Sequence, residues 1–155
     1  MNRFRVRPPS AGDVPAMGGI VDASGLFPGD MLPDLIAPFL DGDRDALWVV
    51  VEDEGGDVTG LAYAEAEAMT EGTWNMRAIG VDPSVQGQGA GRVLTHAIEV
   101  ALREAGHRLL IVDTSGTDAF EGARAFYARL GYDAEARIRD FWADGDDKVT
   151  FRKHL

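Results

Sequence analysis

The chain has 155 residues, a formal net charge of −11, no cysteine, and histidine only at 96, 107 and 154. That length suits one domain, residues 1–155, with its own core. The missing cysteines exclude disulfides, thiolate metal sites and a cysteine nucleophile, and the scattered histidines speak against any metal site. The acidic balance speaks against a nucleic-acid partner and mildly favours a cationic or amine ligand; with no apolar run of membrane-spanning length and no signal segment, no membrane partner is expected and the cytoplasm is the default location.

Phe4–Arg7 alternates and stops at Pro8-Pro9, which predicts a first strand. Asp13 stands as a cap for a helix with Pro15 in its first turn and a stripe of Val14, Met17, Ile20 and Val21, ending near Ser24-Gly25. Leu26–Met31 predicts a loop, and a second helix runs roughly from Pro33 to Leu40. Ala46–Glu52 is a strongly apolar strand, Asp53–Asp57 a hairpin turn, and Val58 to about Met69 the return strand. On that strand Leu61, Tyr63, Glu65 and Glu67 share one face and Ala62, Ala64 and Ala66 the other. Thr70-Glu71-Gly72 turns into a strand over 73–81, and the three consecutive strands are expected to pair antiparallel.

A turn at Asp82-Pro83-Ser84 leads to Gln86-Gly87-Gln88-Gly89-Ala90-Gly91. A long helix follows, with Val93, Leu94, Ala97, Ile98, Ala101 and Leu102 on one face and Gly106 as its stop. Glycines at alternate positions ahead of a helix leave amide N–H groups uncovered, and the helix start adds partial positive charge; together these make an anion site, most often for phosphate or pyrophosphate. The dinucleotide pattern G-x-G-x-x-G fails because Arg92 stands in place of the third glycine, and no Gly-Lys-Ser/Thr closes a P-loop. Leu109–Asp113 is a buried-type strand that must run parallel to the 73–81 strand, since a helix joins them. After a loop at Thr114–Thr117, a helix is predicted from about Ala119 to Leu130, with Phe120, Ala123, Phe126, Tyr127 and Leu130 on one face. A last strand covers Val149–His154, and His96 and His107 read as surface.

Gln86-x-x-Gly89-x-Gly91, directly after Val81-Asp82-Pro83, resembles the acyl-CoA pyrophosphate loop of the GNAT N-acetyltransferases. Ala123–Tyr132 resembles that family's second signature, an aromatic-Tyr pair (Phe126-Tyr127) followed by x-x-x-Gly-Tyr, and the C-terminal segment from Asp140 looks like the closing hairpin of a GNAT subgroup. The resemblance covers 46–155 well and the first 45 residues weakly. It implies a mixed α/β fold, a central, mostly antiparallel twisted sheet splayed at its middle with helices on both faces. It also implies transfer of an acetyl group from acetyl-CoA to a primary amine of a small molecule or a peptide N-terminus, by direct attack in a ternary complex and without a metal. Homodimers are frequent in the family. The alternative is an acyl-CoA-binding regulatory or sensor module without turnover.

The resemblance assigns Tyr127 as general acid toward the leaving thiolate. Gln86, Gly87, Gln88, Gly89, Ala90, Gly91 and Arg92 would hold the cofactor phosphates. The backbone of Ile79, Gly80 and Val81 would meet the pantetheine arm and the thioester carbonyl, Ser115 and Phe120 would touch the pantetheine or adenosine part, and Phe126 is the better core candidate of the aromatic pair. Phe27, Met31 and Phe39 would line the acceptor pocket. Many family members carry an acidic residue on the strand equivalent to 73–81, where this chain offers Asn75, Met76 and Arg77. The candidate bases are therefore Glu65, Glu67 and Glu71 beside the cleft, or Asp140 and Asp144 on the C-terminal hairpin, unless a water chain removes the proton.

Overall fold

The computed structural model describes residues 3–155. Strands β1 (Arg5–Arg7), β2 (Ala46–Glu52), β3 (Val58–Ala66), β4 (Thr73–Val81), β5 (Leu109–Ser115), β6 (Asp133–Ala143) and β7 (Asp146–His154) form one seven-stranded sheet of order β1-β2-β3-β4-β5-β7-β6. Every pair is antiparallel except β4 and β5. Helices α1 (Val14–Ser24) and α2 (Leu32–Leu40) cover one face. Helices α3 (Ala90–Glu104) and α4 (Glu121–Arg129) serve the other.

The alternation along β3 sorts the two cores. Leu61 and Tyr63 join Met17, Ile20, Val21, Leu32, Ile36 and Trp48 under α1 and α2, with Trp48 stacked on Tyr63 at 4.2 Å between ring centroids. Ala62 and Ala64 face α3, whose Leu94, Ile98 and Leu102 are fully or almost fully buried with Trp74, Met76, Leu110 and Val112. Each such leucine or isoleucine contributes roughly 1.5–3 kcal/mol by leaving water. The splayed sheet, flanked on both faces, is the architecture that the sequence implies.

Parallel pairing of β4 with β5 is confined to Thr73–Asn75 against Leu109–Ile111. A bulge coincides with the separation. Tyr63 pairs with Ala78 and Ala64 with Met76, so Arg77 is left over on β4. A bulged residue bends its strand and raises its local twist, here just where β4 leaves β5. From Met76 to Val81 the β5 side of β4 has no strand partner.

Several boundaries differ from the sequence reading. The β3 strand stops at Ala66, because Met69 takes a left-handed φ of 63° in the turn toward β4. Asp13 does not cap α1; its carboxylate holds Arg7 at 2.7 and 2.9 Å and the Ser10 amide at 2.7 Å, tying β1 to the helix start. The α4 helix starts two residues later than expected, after a single turn at Asp118–Phe120, and leaves Phe120 46% exposed instead of on the buried stripe. His107, expected at the surface, is half-buried, with its ring 5.0 Å from that of Trp74. The closing hairpin expected from Asp140 starts earlier, since its first strand β6, the sheet's outer strand, begins at Asp133 and is exposed along its whole length.

Candidate active site

The glycine segment lies where the unpaired end of β4 turns into α3. Gly87 and Gly89 have φ of 77° and 96°, and Gly89 is the residue that starts α3. A side chain at Gly89 would strain the backbone, and the space around its missing Cβ is empty within 4 Å. The first helical bond runs from the Val93 N–H to the Gly89 carbonyl at 3.1 Å, so the amides of Ala90, Gly91 and Arg92 precede any intrahelical partner. Gly91 lets α4 pack closely on the start of α3: a Cβ there would stand 3.3 Å from Phe126 Cζ. Gln86 folds back and donates from Nε2 to the Val81 carbonyl at 3.4 Å. Outside the loop opens a groove of about 950 Å³ lined by Gln88, Gly89, Arg92, Phe126 and Arg129 among others. Uncommitted amides, a helix start and two guanidinium groups make this end of the groove fit a phosphorylated ligand.

Tyr127 is buried, with its ring 5.3 to 5.9 Å from those of Phe126, Phe151 and Tyr132. Burial alone pushes its pKa up to about 12. Its hydroxyl has no hydrogen-bond partner among the described residues, whereas the Tyr132 hydroxyl donates to Glu99 Oε2 at 2.6 Å. Beneath the groove that Glu99 also accepts from Lys153 Nζ at 3.1 and 3.2 Å, which links α3 to β7. Burial together with the Glu99 bond holds the Tyr132 phenol well above its usual range.

On the α1–α2 face, at the point where β4 and β5 part, a polar chain crosses the sheet. Tyr63 donates to Glu65 Oε2 at 2.6 Å, and Glu65 Oε1 pairs with Arg77 Nε at 2.9 Å. Arg77 also reaches Glu67 Oε1 at 3.3 Å, and Asn75 Nδ2 donates to the same Glu67 oxygen at 2.9 Å. Asn75 Nδ2 donates as well to Asp113 Oδ2 at 3.2 Å, and Asp113 Oδ1 accepts from Thr150 Oγ1 at 2.6 Å. Burial and the Glu65 bond raise the Tyr63 pKa beyond the ordinary phenol range, so Tyr63 stays a donor.

The structure thus gathers Glu65 and Glu67 of the sequence candidates and leaves Glu71 exposed on the preceding turn, where its carbonyl accepts from Arg108. Asp140 and Asp144 lie on the β6–β7 hairpin, where Asp140 Oδ1 accepts from the Gly145 amide. Ser115 is buried, and its hydroxyl is committed to Asp146 and Thr117 at the end of β5. Ile79 is half-buried against the α3 core, and Gly80 packs under the α1–α2 connection, a Cβ there falling 2.7 Å from Leu26 Cδ1. Phe27 and Phe39 pack against the α1–α2 core, whereas Met31 is exposed. Asp113 and Thr150 escaped the sequence reading, because only the β5–β7 pairing places them opposite one another.

No helix among the described residues is long and apolar enough to cross a membrane. A comparison with curated proteins finds no match. A protein of the GNAT family from Desulfovibrio desulfuricans matches with 30% identity over 97% of each chain and a TM-score of 0.85. The ribosomal-protein-S18-alanine N-acetyltransferase of Escherichia coli matches at 18% identity, 98% and 94% coverage and a TM-score of 0.80. A Salmonella typhimurium protein with its cofactor acetyl-CoA matches at 20% identity, 99% and 95% coverage and 0.79; these last two likenesses are of fold. The model of the acetyltransferase (GNAT) domain matches residues 43–134, which hold both the glycine loop and the Phe126-Tyr127 pair, and the chain belongs to the GNAT family of acetyltransferases.

Proposed function

We propose that residues 1–155 act as one acyl-CoA-binding unit that transfers the acetyl group of acetyl-CoA to a primary amine of a small molecule or peptide. The observation that carries this reading is a coincidence of two features on one strand. The β5-side edge of β4 is unpaired beyond Asn75, and the same strand ends at the open glycine loop. A thioester bound with its phosphates at Gln86–Arg92 would lie along Ile79–Val81 and point its acetyl group toward the place where β4 and β5 part.

In this reading the amides of Gln86–Arg92 and the Arg92 guanidinium bind the phosphates. Backbone groups of Ile79–Val81 orient the pantetheine and polarise the thioester carbonyl. The acceptor ammonium gives up one proton; the new C–N bond forms as the C–S bond breaks; the nitrogen then loses a second proton, and the sulfur, leaving with the electron pair, takes one up. The products are an amide, CoA and one proton. Burial pushes the Tyr127 pKa up to about 12, so the phenol keeps its proton and can donate it toward the sulfur. Tyr127 serves in this reading as the general acid, its hydroxyl donating to the sulfur as the C–S bond breaks.

Of the candidate bases Glu65 and Glu67, which the fold gathers beside Asn75 and Arg77, one takes the proton directly or through water; Glu65 takes it where Glu67 holds a charged group of the acceptor. The test is steady thiol release from acetyl-CoA in the presence of a panel of primary amines. Release that needs an amine and stops in Gly89→Asp supports the reading. Stoichiometric acetyl-CoA binding with no release for any amine would leave a binding module and overturn the transferase assignment.

A further inference from the structure

We infer that the acceptor is a small molecule bearing two or more protonated aliphatic amines, held by Asp113 and Glu67 on either side of Asn75. This inference rests on the acetyl-transfer reading and deepens it. Asn75 is 1% exposed and occupies the last paired position of β4 before the strands part. Its amide nitrogen is committed to both carboxylates, at 2.9 and 3.2 Å. Its amide oxygen Oδ1 is buried and has no donor among the described residues. A buried acceptor without a donor costs roughly 1–3 kcal/mol, so the cluster is incomplete until something supplies an N–H or O–H.

The carboxylates around it are short of cations. Glu65 is satisfied by Tyr63 and Arg77. Glu67 has only the longer 3.3 Å contact with Arg77, and Asp113 has the neutral donors Thr150 and Asn75. Lys148 and Arg152 of β7 share the face of Thr150, yet neither pairs with Asp113 or Glu67 among the described residues. Carboxylates with spare lone pairs beside an unpartnered amide oxygen offer what an alkylammonium requires, a set of acceptors for its three donors. The amine that attacks must be neutral, so it is not the group such a site holds. A second, charged amine in the same molecule satisfies both demands: one ammonium anchors at Asp113 and Glu67, while the other loses its proton at the splay.

The test is calorimetric titration of the full chain, with and without CoA, using a linear α,ω-diaminoalkane and the monoamine of equal length. The diamine is expected to bind at least about tenfold more tightly, as a charge-assisted hydrogen bond warrants. That advantage is expected to vanish in Asp113→Asn or Glu67→Gln and to shrink as salt rises. Equal affinities, or an advantage kept in both folded variants, would overturn the inference. A neutral-side-chain tripeptide with a free N-terminus binding more tightly than the diamine would also overturn it, in favour of a peptide acceptor. Should either substitution prevent folding, the salt dependence and the diamine-to-monoamine ratio of the unmodified protein decide alone. Tight diamine binding without thiol release would support the site and overturn the transfer reading, so the two fail separately.

Discussion

Replacing Tyr127 by phenylalanine separates chemistry from packing. The ring is buried against Phe126, Tyr132 and Phe151, and phenylalanine fills that space unchanged. The lost hydroxyl makes no hydrogen bond to the described residues, and burial alone raises its pKa. Its removal therefore breaks no bond in the free protein, and the melting temperature is expected to hold or rise. The bond it would make to a departing thiolate is charge-assisted and worth roughly 1.5–3 kcal/mol, which is about a tenfold to two-hundredfold loss in kcat. Affinity for acetyl-CoA in the ground state should change little, because the sulfur there carries no charge. Steady-state thiol release, paired with thermal unfolding of the same preparation, reads both quantities. An unchanged kcat would remove Tyr127 from the sulfur. A melting temperature lower by several degrees would mean that the hydroxyl holds the fold together.

Three further outcomes follow from packing and charge. Gly80→Val puts a Cβ 2.7 Å from Leu26 Cδ1 and 3.1 Å from Ser24 Oγ, and overpacking of this kind costs about 1–3 kcal/mol, read by urea denaturation. An unchanged midpoint would show that the α1–α2 connection yields freely. Lys153→Met strips the ammonium from Glu99, which is 4% exposed, and should destabilise by roughly 3 kcal/mol, the low end for breaking a buried pair because Lys153 keeps some exposure. A thermal melt matching that of the unmodified protein would show that Tyr132 alone satisfies Glu99. The Arg7 guanidinium holds the Asp13 carboxyl well below its usual range. Its stabilising effect is thus complete above the unfolded-state value near 4 and is lost as pH falls through the lower folded-state value. Asp13→Asn should cost about 1–2 kcal/mol at pH 7, and the gap to the unmodified protein should narrow below pH 4. A gap independent of pH would assign the effect to shape instead of charge.

The elements that build the cofactor side were legible because their signals are local. The strand over 73–81 and the helix stripe on Leu94, Ile98 and Leu102 depend on periodicity within one segment, and Gly89 on turn chemistry. Asp113 was legible only as the end of an apolar strand. Its partners, Asn75 and Thr150, come from other strands, and no local pattern joins them. Asn75 shows the same limit from the other side. In the sequence it marks the loss of an acidic residue from the central strand; in the fold it bridges carboxylates supplied by the neighbouring segments. The β6 strand has no buried face to enforce a pattern, and Phe120 obeys the helical stripe in sequence but sits in the turn ahead of α4. The bulge at Arg77, which coincides with the splay, depends on register with β3 and has no signature in β4 alone.

The most direct measurement is a calorimetric titration of the purified chain with acetyl-CoA, with NAD as control ligand and Gly89→Asp as control protein. One equivalent of acetyl-CoA bound by the unmodified chain, none by the folded variant, and no heat from NAD is the predicted result. A folded protein, free of copurified CoA, that binds no acetyl-CoA, or a Gly89→Asp variant that binds as well as the original, would contradict the placement of the cofactor at the β4–α3 loop.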